Sequence, residues 1–311
     1  MLLELVSPAQ RARLAADLDV TFAVPFRDVA RLRASYYVKH SGIAAAFRLL
    51  PARVPSLTEL GCPEALRRIA DTREGLLLVG GPSSNGKTTT AAAIIDHVNK
   101  ARACHLLTIE NPIEFVHESQ RAQISQREVG EHVPDTITAL ASAVRENADV
   151  VFVSDLYSAK EIELALRLAS DGAFVVATVE ASGARAVLDR ITNAFEPDAR
   201  PRVRSLLADC LRGVVVQHLI RSEEAKSRVA VHEIVLGTEP IASLVREGKT
   251  DGLLHAMKTD AESGMQTLDD ALERLLAAGK VSAEAAFERS IDKDGFARVV
   301  ARARPDLADA L

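Results

Sequence analysis

A glycine-bounded loop carries the clearest chemical signal in this chain. The sequence Gly81-x-x-x-x-Gly86-Lys87-Thr88 follows the apolar run Leu76–Val79 and opens directly into a helix-forming stretch. The order strand, loop, helix is that of a P-loop, in which backbone N–H groups turn inward around a phosphate chain and the helix N-terminus adds partial positive charge. A Gly/Ser loop that matches by chance is the alternative, but the flanking strand and helix fall where the motif requires them.

The loop predicts a site for a nucleoside triphosphate and Mg²⁺. Lys87 has the length to reach the β- and γ-phosphates, and the Thr88 hydroxyl can coordinate Mg²⁺. The predicted nucleotide-binding residues are Gly81, Ser83, Ser84, Asn85, Gly86, Lys87, Thr88 and Thr89. The loop alone predicts binding of a nucleoside triphosphate, whereas hydrolysis requires further groups.

Hydrolysis also needs carboxylates near the phosphates. One must orient or deprotonate the attacking water, another must help to hold Mg²⁺, and a cation or donor must meet the charge that develops on the γ-phosphate. Glu110 stands at the carboxyl end of the predicted strand His105–Ile109, where it is well placed for the water. The alternative for Glu110 is a solvated loop acid without a chemical role.

The elements that must position these residues belong to a chain of ordinary globular composition. Its 311 residues suffice for a large core and two domains. The net charge of −5 and the absence of aromatic–basic clusters argue against a nucleic acid partner, and three scattered cysteines form neither a disulfide framework nor a zinc site. No apolar stretch reaches the ~20 residues of a membrane span, and Met1–Leu5 lacks the regions of a signal peptide, so we expect a cytoplasmic protein.

Hydrophobic periodicity divides the chain into four parts. Residues 1–50 predict a small unit, with a helix over Ser7–Asp17 and strands over Val20–Val24, Val29–Tyr37 and Ile43–Leu49. Residues 51–55 predict a linker because Pro51 and Pro55 disfavour both helix and central strand. Residues 56–236 alternate strands with helices, which predicts an α/β fold with a mostly parallel sheet covered on both faces. Residues 237–311 predict C-terminal helices.

Within these parts the pattern predicts individual elements. The predicted core strands are Leu76–Val79, His105–Ile109, Val150–Val153, Phe174–Val179, Val214–Leu219 and Val229–Val235. The predicted helices are Pro63–Ala70, Thr88–Lys100, Asp135–Asn147, Lys160–Ser170, Gly183–Ala194, Arg202–Leu211, Ile241–Arg246, Thr267–Ala278 and Ala283–Arg289, with a loosely held tail over Ala297–Leu311. In the helix after Thr267 the leucines have the spacing of one buried helix face.

Several short motifs in a fixed order indicate a family. They are Thr108–His117, Gln126–Val129, Ala148–Asp155, His232-Glu233-Ile234 and Gly264–Asp269. This series resembles the type II/type IV secretion ATPases, and most closely the pilus-retraction branch that serves twitching motility, over roughly residues 20–288. The absence of a four-cysteine zinc insert also fits the retraction branch better than the pilus-assembly branch.

The resemblance implies an architecture and a set of partners. It implies a RecA-like P-loop ATPase core, a PAS-like N-terminal domain that is shortened here, and a ring of six subunits with ATP between them. The ring would be a homo-hexamer or a mixed hexamer with a paralogous ATPase. It would act on an inner-membrane platform protein of the pilus machine, so the protein would associate peripherally with the cytoplasmic side of that membrane.

The resemblance also implies roles for acidic residues. Glu110 matches the acidic-box glutamate that activates water in the family, and Glu114 matches a second acid of that box. Asp155 stands where the family's Walker B strand ends in glutamate, so it would serve catalysis and, with Thr88, Mg²⁺ binding. Asp155 is one methylene shorter than glutamate, and a positioning error near 1 Å can cost on the order of a hundredfold in rate.

Other positions depart from the family pattern. Asn111 replaces an aspartate, and Tyr157 replaces an arginine. Ala173 and Glu180 stand where the family has its histidine box. Glu180 places a negative charge where a neutral or positive γ-phosphate sensor is expected, which is unfavourable unless the acid turns away or pairs with a cation. In the C-terminal motif that ends at Arg246, one arginine is lost.

Further charged residues have two interpretations. Arg31, Arg33 and Arg48 would face a neighbouring subunit's nucleotide or simply form solvated strand faces. His232-Glu233 lies in a late strand and is interpreted as structural rather than catalytic.

Two functions follow from this pattern. The first is an ATP-hydrolysing motor subunit of a type IV pilus or related secretion machine with a weakened catalytic set. The second is a hydrolysis-deficient nucleotide-binding paralogue that assembles with, or regulates, an active retraction ATPase. A RecA-like ATPase acting on nucleic acid is disfavoured by the negative net charge.

Overall fold

The computed structural model describes residues 2–26, 30–51, 53–223 and 227–303. Val29 of a predicted strand, Ala52 of the predicted linker and residues 304–311 of the predicted tail lie outside this range. Within it, no helix combines the length and the apolar character needed to cross a bilayer.

The N-terminal part forms an antiparallel sheet of three strands with one helix. After a 3₁₀ turn, Leu2–Leu5, come α1 (Pro8–Asp17), β1 (Asp19–Phe26), β2 (Ala30–Lys39) and β3 (Gly42–Leu50), paired in the order β1-β2-β3. Ser7 and Gln10 cap α1 reciprocally, which explains where the helix begins. Helix α1 packs on one face of the sheet through Leu14, against Phe22 and Tyr36.

The central part is an α/β sandwich around a sheet of seven strands. Its elements are α2 (Glu64–Ala70), β4 (Gly75–Gly81), α3 (Lys87–Ala101), β5 (His105–Glu110), β6 (Gln123–Glu128), α4 (Thr136–Ala143), β7 (Val150–Val153), α5 (Ala159–Ser170), β8 (Phe174–Glu180), α6 (Ala184–Asn193), α7 (Arg200–Cys210), β9 (Leu211–Arg221) and β10 (Arg228–Leu236). The strand order is β10-β9-β4-β8-β7-β5-β6, and only β9 with β10 pairs antiparallel. The predicted α/β fold is confirmed.

Both faces of this sheet are apolar, as a parallel sheet covered by helices requires. In β4 alternate side chains enter different cores: Leu76 and Leu78 join one hydrophobic cluster, and Leu77 and Val79 join the other. The carboxyl ends of β4, β5, β7 and β8 meet at one edge of the sheet, where ligands of open α/β sheets bind. The predicted site residues that follow these strands are therefore brought to the same edge.

The C-terminal part is helical. It contains α8 (Glu239–Glu247), α9 (Leu253–Thr259), α10 (Leu268–Ala277), α11 (Ala283–Arg289) and α12 (Lys293–Ala303), with 3₁₀ turns at Thr250–Gly252 and Ala261–Ser263. Leu268 and Leu272 of α10 are fully buried in a small core that also includes Phe296 and Val300, and Leu275 packs on its margin.

The structure differs from the predicted elements in several places. The tail predicted as loosely held begins within α12, which is packed into the small core through Phe296 and Val300. The helix predicted over Asp135–Asn147 ends at Ala143, and a turn follows in which Asn147 adopts φ 50°. Strand β6 was not predicted because it is an edge strand of polar composition. Helix α9 was not predicted because it is short and no side chain caps its first turn. The limits proposed for the domains stay a prediction.

Candidate active site

The P-loop has the backbone shape that its sequence predicts. Strand β4 ends at Gly81, helix α3 begins at Lys87, and Ser84 and Gly86 adopt φ 62° and 83°. Gly81 has φ 151°, and a Cβ added to it would lie 2.6 Å from the backbone oxygen of Gln217. Left-handed residues within a turn bring successive N–H groups to one side, which makes a concave site for an anion.

A polar cleft of about 200 Å³ opens beside the loop. Six of the predicted binding residues line it: Ser83, Ser84, Gly86, Lys87, Thr88 and Thr89. Gly81 and Asn85 do not line the cleft, and they contribute to the backbone conformation of the loop. Lys87 is 9 % exposed, and its Nζ donates to the backbone oxygen of Pro82 at 3.2 Å.

Five charged side chains and one tyrosine from other elements complete the cleft. They are Arg33, Arg48, Glu114, Asp155, Tyr157 and Glu180. Cations and acids thus face each other across the P-loop. Within the described residues, no group of three or more His, Cys, Asp or Glu is arranged to hold a metal by itself.

Asp155 is fixed by the neighbouring strand. It follows β7 with φ 53°, and its backbone N–H donates to Thr178 Oγ1 at 2.7 Å. The same hydroxyl donates to Asp155 Oδ1 at 2.8 Å. Thr178 is a polar residue inside the otherwise apolar strand β8, and this break in the pattern was the available signal for it. The Asp155 carboxylate therefore lines the cleft in a defined orientation.

Glu110 is buried at the end of β5. It is 3 % exposed, and its carboxylate accepts hydrogen bonds from Thr108 Oγ1 at 2.8 Å and Gln126 Nε2 at 3.1 Å. Burial raises the pKa of Glu110 to about 7, against the opposing effect of these donors. Glu110 is not among the residues that line the cleft; Glu114, whose backbone N–H also donates to it, is.

The arginines of the N-terminal sheet lie at the P-loop of their own chain. Arg33 and Arg48 stand directly opposite each other on β2 and β3 and line the cleft. The Arg33 guanidinium pairs with Glu114 at 3.1 Å. Arg31 instead donates to the backbone oxygen of Ile113 at 3.4 Å. Within the single chain, the N-terminal sheet packs over its own core; that these arginines face a neighbouring subunit's nucleotide stays a prediction.

The positions that depart from the family pattern fall in different places. Tyr157 is 60 % exposed and lies beside Asp155; partial burial, followed by the Asp155 charge, raises the pKa of Tyr157. Glu180 is exposed in the cleft, and Arg190 reaches its backbone oxygen at 3.1 Å. Ala173, however, precedes β8 and lies at the amino edge of the sheet, opposite the P-loop. The grouping of Ala173 with the residues that serve hydrolysis is therefore wrong.

Two further residues have structural contacts. Glu233 accepts the backbone N–H of Ala184 at 2.9 Å at the start of α6. Asn111, joined to Pro112 by a cis peptide, donates its backbone N–H to Ser154 Oγ at 3.2 Å. Glu233 thus fits the structural interpretation made from the sequence.

Comparisons with known proteins agree with this geometry. The family model described as "Type II/IV secretion system protein" matches residues 5–288. A twitching motility protein of Neisseria gonorrhoeae is 37 % identical over 296 residues, which are 95 % of this chain and 79 % of that protein. The type IV pilus retraction ATPase PilT of Pseudomonas aeruginosa is also 37 % identical over 296 residues, with 95 % and 86 % covered.

A solved structure shares the fold. The crystal structure of the pilus retraction motor PilT with bound ADP superimposes with a TM-score of 0.87 at 33 % identity, covering 96 % of this chain and 84 % of that one. The resemblance found from the sequence motifs is confirmed. This chain belongs to the family of type II/IV secretion system proteins.

Proposed function

We propose that this chain binds ATP with Mg²⁺ in the cleft and hydrolyses it as a motor subunit of a type IV pilus, of the retraction type, or of a related secretion machine. The observation that carries the proposal is the polar cleft on which Lys87, Arg33, Arg48 and Asp155 converge from both domains. The similarity to PilT, one structure of which holds ADP, supports it.

The cations of the cleft would bind the phosphate chain. Arg33 and Arg48 are like charges directly opposite on adjacent strands, an arrangement that is unfavourable without an anion between them. Glu114 orients Arg33 through their 3.1 Å ion pair. Together with Lys87 and the loop N–H groups, these arginines would hold the transferring phosphoryl group and offset its developing charge.

Glu110 would accept the proton of the attacking water. A general base works best when its pKa lies near the working pH, and burial places the pKa of Glu110 at about 7. Thr108 and Gln126 fix its carboxylate, so that it is held rather than free to rotate. Its place behind Glu114 keeps it out of bulk solvent.

Thr88 and Asp155 would hold Mg²⁺, and they line the same cleft. The donor set fits, because protein-bound Mg²⁺ takes one or two carboxylates together with waters and substrate phosphates rather than a complete protein cage. When bound, the ion would neutralise charge on the phosphate oxygens. The contribution of this chain is the orientation of the Asp155 carboxylate by Thr178.

The protein would work as a ring at the cytoplasmic side of the inner membrane. We propose a hexamer, homomeric or mixed with a paralogous ATPase, that acts on an inner-membrane platform protein of the pilus machine. The N-terminal sheet supports assembly because Ile43, Phe47 and Leu49 of β3 stand exposed, although they lie on the same face of the sheet as α1.

The second candidate is a nucleotide-binding paralogue without substantial hydrolysis. Two observations favour it: Glu180 is exposed within the cleft, and the Asp155 carboxylate is engaged by both Thr178 and Tyr157. Such a subunit would bind ATP and regulate or complete a ring of active subunits.

Calorimetric titration of the purified protein with ATP and ADP tests the shared part of both candidates. Lys87→Ala should weaken ATP binding by on the order of a hundredfold, since it removes the charge that pairs with the phosphates. Lys100→Ala, on the same helix but paired with Asp96 away from the loop, is the matched control. Tight ATP binding by Lys87→Ala would contradict the proposed site.

A further inference from the structure

A buried chain of polar side chains connects the P-loop to the C-terminal helices. Its members are Thr90, Gln217, His232 and Gln266, all less than 9 % exposed. Gln217 and His232 stand opposite each other on β9 and β10, in strands whose buried residues are mostly apolar. Buried polar groups are normally hydrogen-bonded, so the partners of these four side chains show which elements they join.

The Gln217 side chain hydrogen-bonds to the P-loop and to the first turn of α3. Its Nε2 donates to the backbone oxygen of Asn85 at 2.7 Å, and its Oε1 accepts from Thr90 Oγ1 in the first turn of α3. Behind the loop, Asn85 Oδ1 accepts the backbone N–H of Leu219 at 2.8 Å. A Cβ on Gly86 would lie 2.6 Å from Gln217 Nε2, so the loop and the amide fit closely.

The donors and acceptors around Gln217 determine how its amide and the His232 ring are oriented. The Asn85 backbone oxygen can only accept, so the NH₂ of Gln217 must face it and Oε1 must face Thr90 and His232. His232 Nε2, 3.0 Å from that Oε1, must therefore carry a hydrogen and donate. Burial lowers the pKa of His232 to about 4, so the ring is neutral at pH 7.

The other end of this series of hydrogen-bonded side chains, Gln266, lies in the segment that leads into α10. Gln266 Nε2 donates to the backbone oxygen of His232, and Gln266 exchanges two backbone hydrogen bonds with Ile234. The next residue, Thr267, caps α10. The C-terminal helices are thus joined to β10 at the residue that contacts Gln217.

We propose that Gln217 is a positioning residue of the nucleotide site, which holds the P-loop in its phosphate-binding shape, and that Gln266 and His232 make this hold depend on the docking of the C-terminal helices. The inference rests on the proposed binding of a nucleotide. Gln217 touches no phosphate; it acts through the Asn85 backbone and the first turn of α3. Because the loop holds the phosphates throughout the reaction, loosening it should weaken nucleotide binding more than it slows the chemical step.

The test uses a fluorescent ADP analogue and ATP turnover on the full chain. Gln217→Met should raise the Kd for the analogue about tenfold, the effect of one lost hydrogen bond at the loop, and raise KM for ATP with kcat changed less than twofold. Gln217→Glu, which keeps an acceptor for Thr90 and His232 but loses the donor, should do the same. If Gln217→Met fails to fold, the Kd of Gln217→Glu tests the proposal instead. Gln123→Met, at the exposed start of β6, should leave Kd unchanged.

A double-mutant cycle tests the connection to the C-terminal helices. Gln266→Met should raise Kd about threefold in the wild-type background and should have no further effect in Gln217→Met, since its influence passes through Gln217. Gln217 variants with Kd within twofold of wild type, or fully additive effects, would overturn the inference while leaving nucleotide binding intact. A wild-type protein that binds no ADP would overturn the proposed function and this inference with it.

Discussion

Within the cleft, the reach of one acidic side chain governs the expected rate. Asp155 is held against β8 by Thr178 and is also engaged by Tyr157. Asp155→Glu should therefore raise ATP turnover roughly tenfold, because the extra methylene extends the carboxylate into the cleft. The measurement is kcat with saturating ATP and Mg²⁺.

Asp171→Glu is the matched control, since Asp171 is exposed at the end of α5 and remote from the cleft. An unchanged kcat for Asp155→Glu would contradict the claim that the short acid limits the chemistry. The negative charge of Glu180 in the cleft would then be the next cause of slow turnover to test.

The ionisation of Glu110 predicts a pH dependence. Burial raises its pKa to about 7 from an ordinary 4.5, so the carboxylate is charged above about pH 7 and protonated below it. Only the charged form can accept a proton, so kcat/KM should fall as the pH is lowered through 7. Gln126→Met removes a donor that favours the charged form, and should move this midpoint to higher pH.

Rates measured from pH 5.5 to 9 check this expectation. A profile that is flat across pH 7 would exclude Glu110 as the base. A midpoint that Gln126→Met leaves in place would exclude the hydrogen bond as its support.

Residue types and spacing predicted part of this site. The P-loop could be predicted because its glycines, lysine and threonine have a fixed spacing between a strand and a helix, and the structure gathers six of the eight predicted binding residues in one cleft. Thr178 and Gln217 were missed, because a single polar residue in an apolar strand shows burial but not its partner. Ala173 was grouped with these residues through the family resemblance, although a residue that precedes a parallel strand lies at the amino edge of the sheet.

At the scale of elements, the N-terminal sheet brings two arginines to the P-loop. Arg48→Ala should weaken ATP binding about tenfold, because it removes a cation from the cleft. It should not lower the melting temperature without nucleotide, since it relieves the repulsion between Arg48 and Arg33. Calorimetry and thermal melting measure the two quantities.

Lys39→Ala, at the exposed end of β2, is the control. Unchanged ATP affinity in Arg48→Ala would show that the N-terminal sheet does not serve its own chain's nucleotide.

The elements of the core could largely be predicted, and their arrangement could not. Alternation of buried strands with capped helices indicated a parallel sheet. The pairing of Arg33 with Glu114 depends on how the N-terminal sheet packs over the core, a contact between residues far apart in sequence that no local pattern encodes.

At the scale of the whole molecule, the exposed apolar residues of β3 predict how copies assemble. Leu49 is 67 % exposed and stands beside Phe47 and Ile43 in an apolar row. If this row lies in the ring interface, Leu49→Ser should shift the protein from hexamer to smaller species without changing ATP affinity. Mass photometry with ATP present measures the shift.

Leu254→Ser, an exposed leucine of α9, is the matched control. A ring that persists in Leu49→Ser would place the interface elsewhere.

The most direct test of the central claim is ATP turnover by the purified chain, with ATP binding measured in parallel. We predict turnover in the wild type, loss of turnover with strongly weakened binding in Lys87→Ala, and loss of turnover with binding retained in Glu110→Gln. Binding without turnover in the wild type would contradict the motor function and favour the regulatory paralogue, and absence of ATP binding would contradict both.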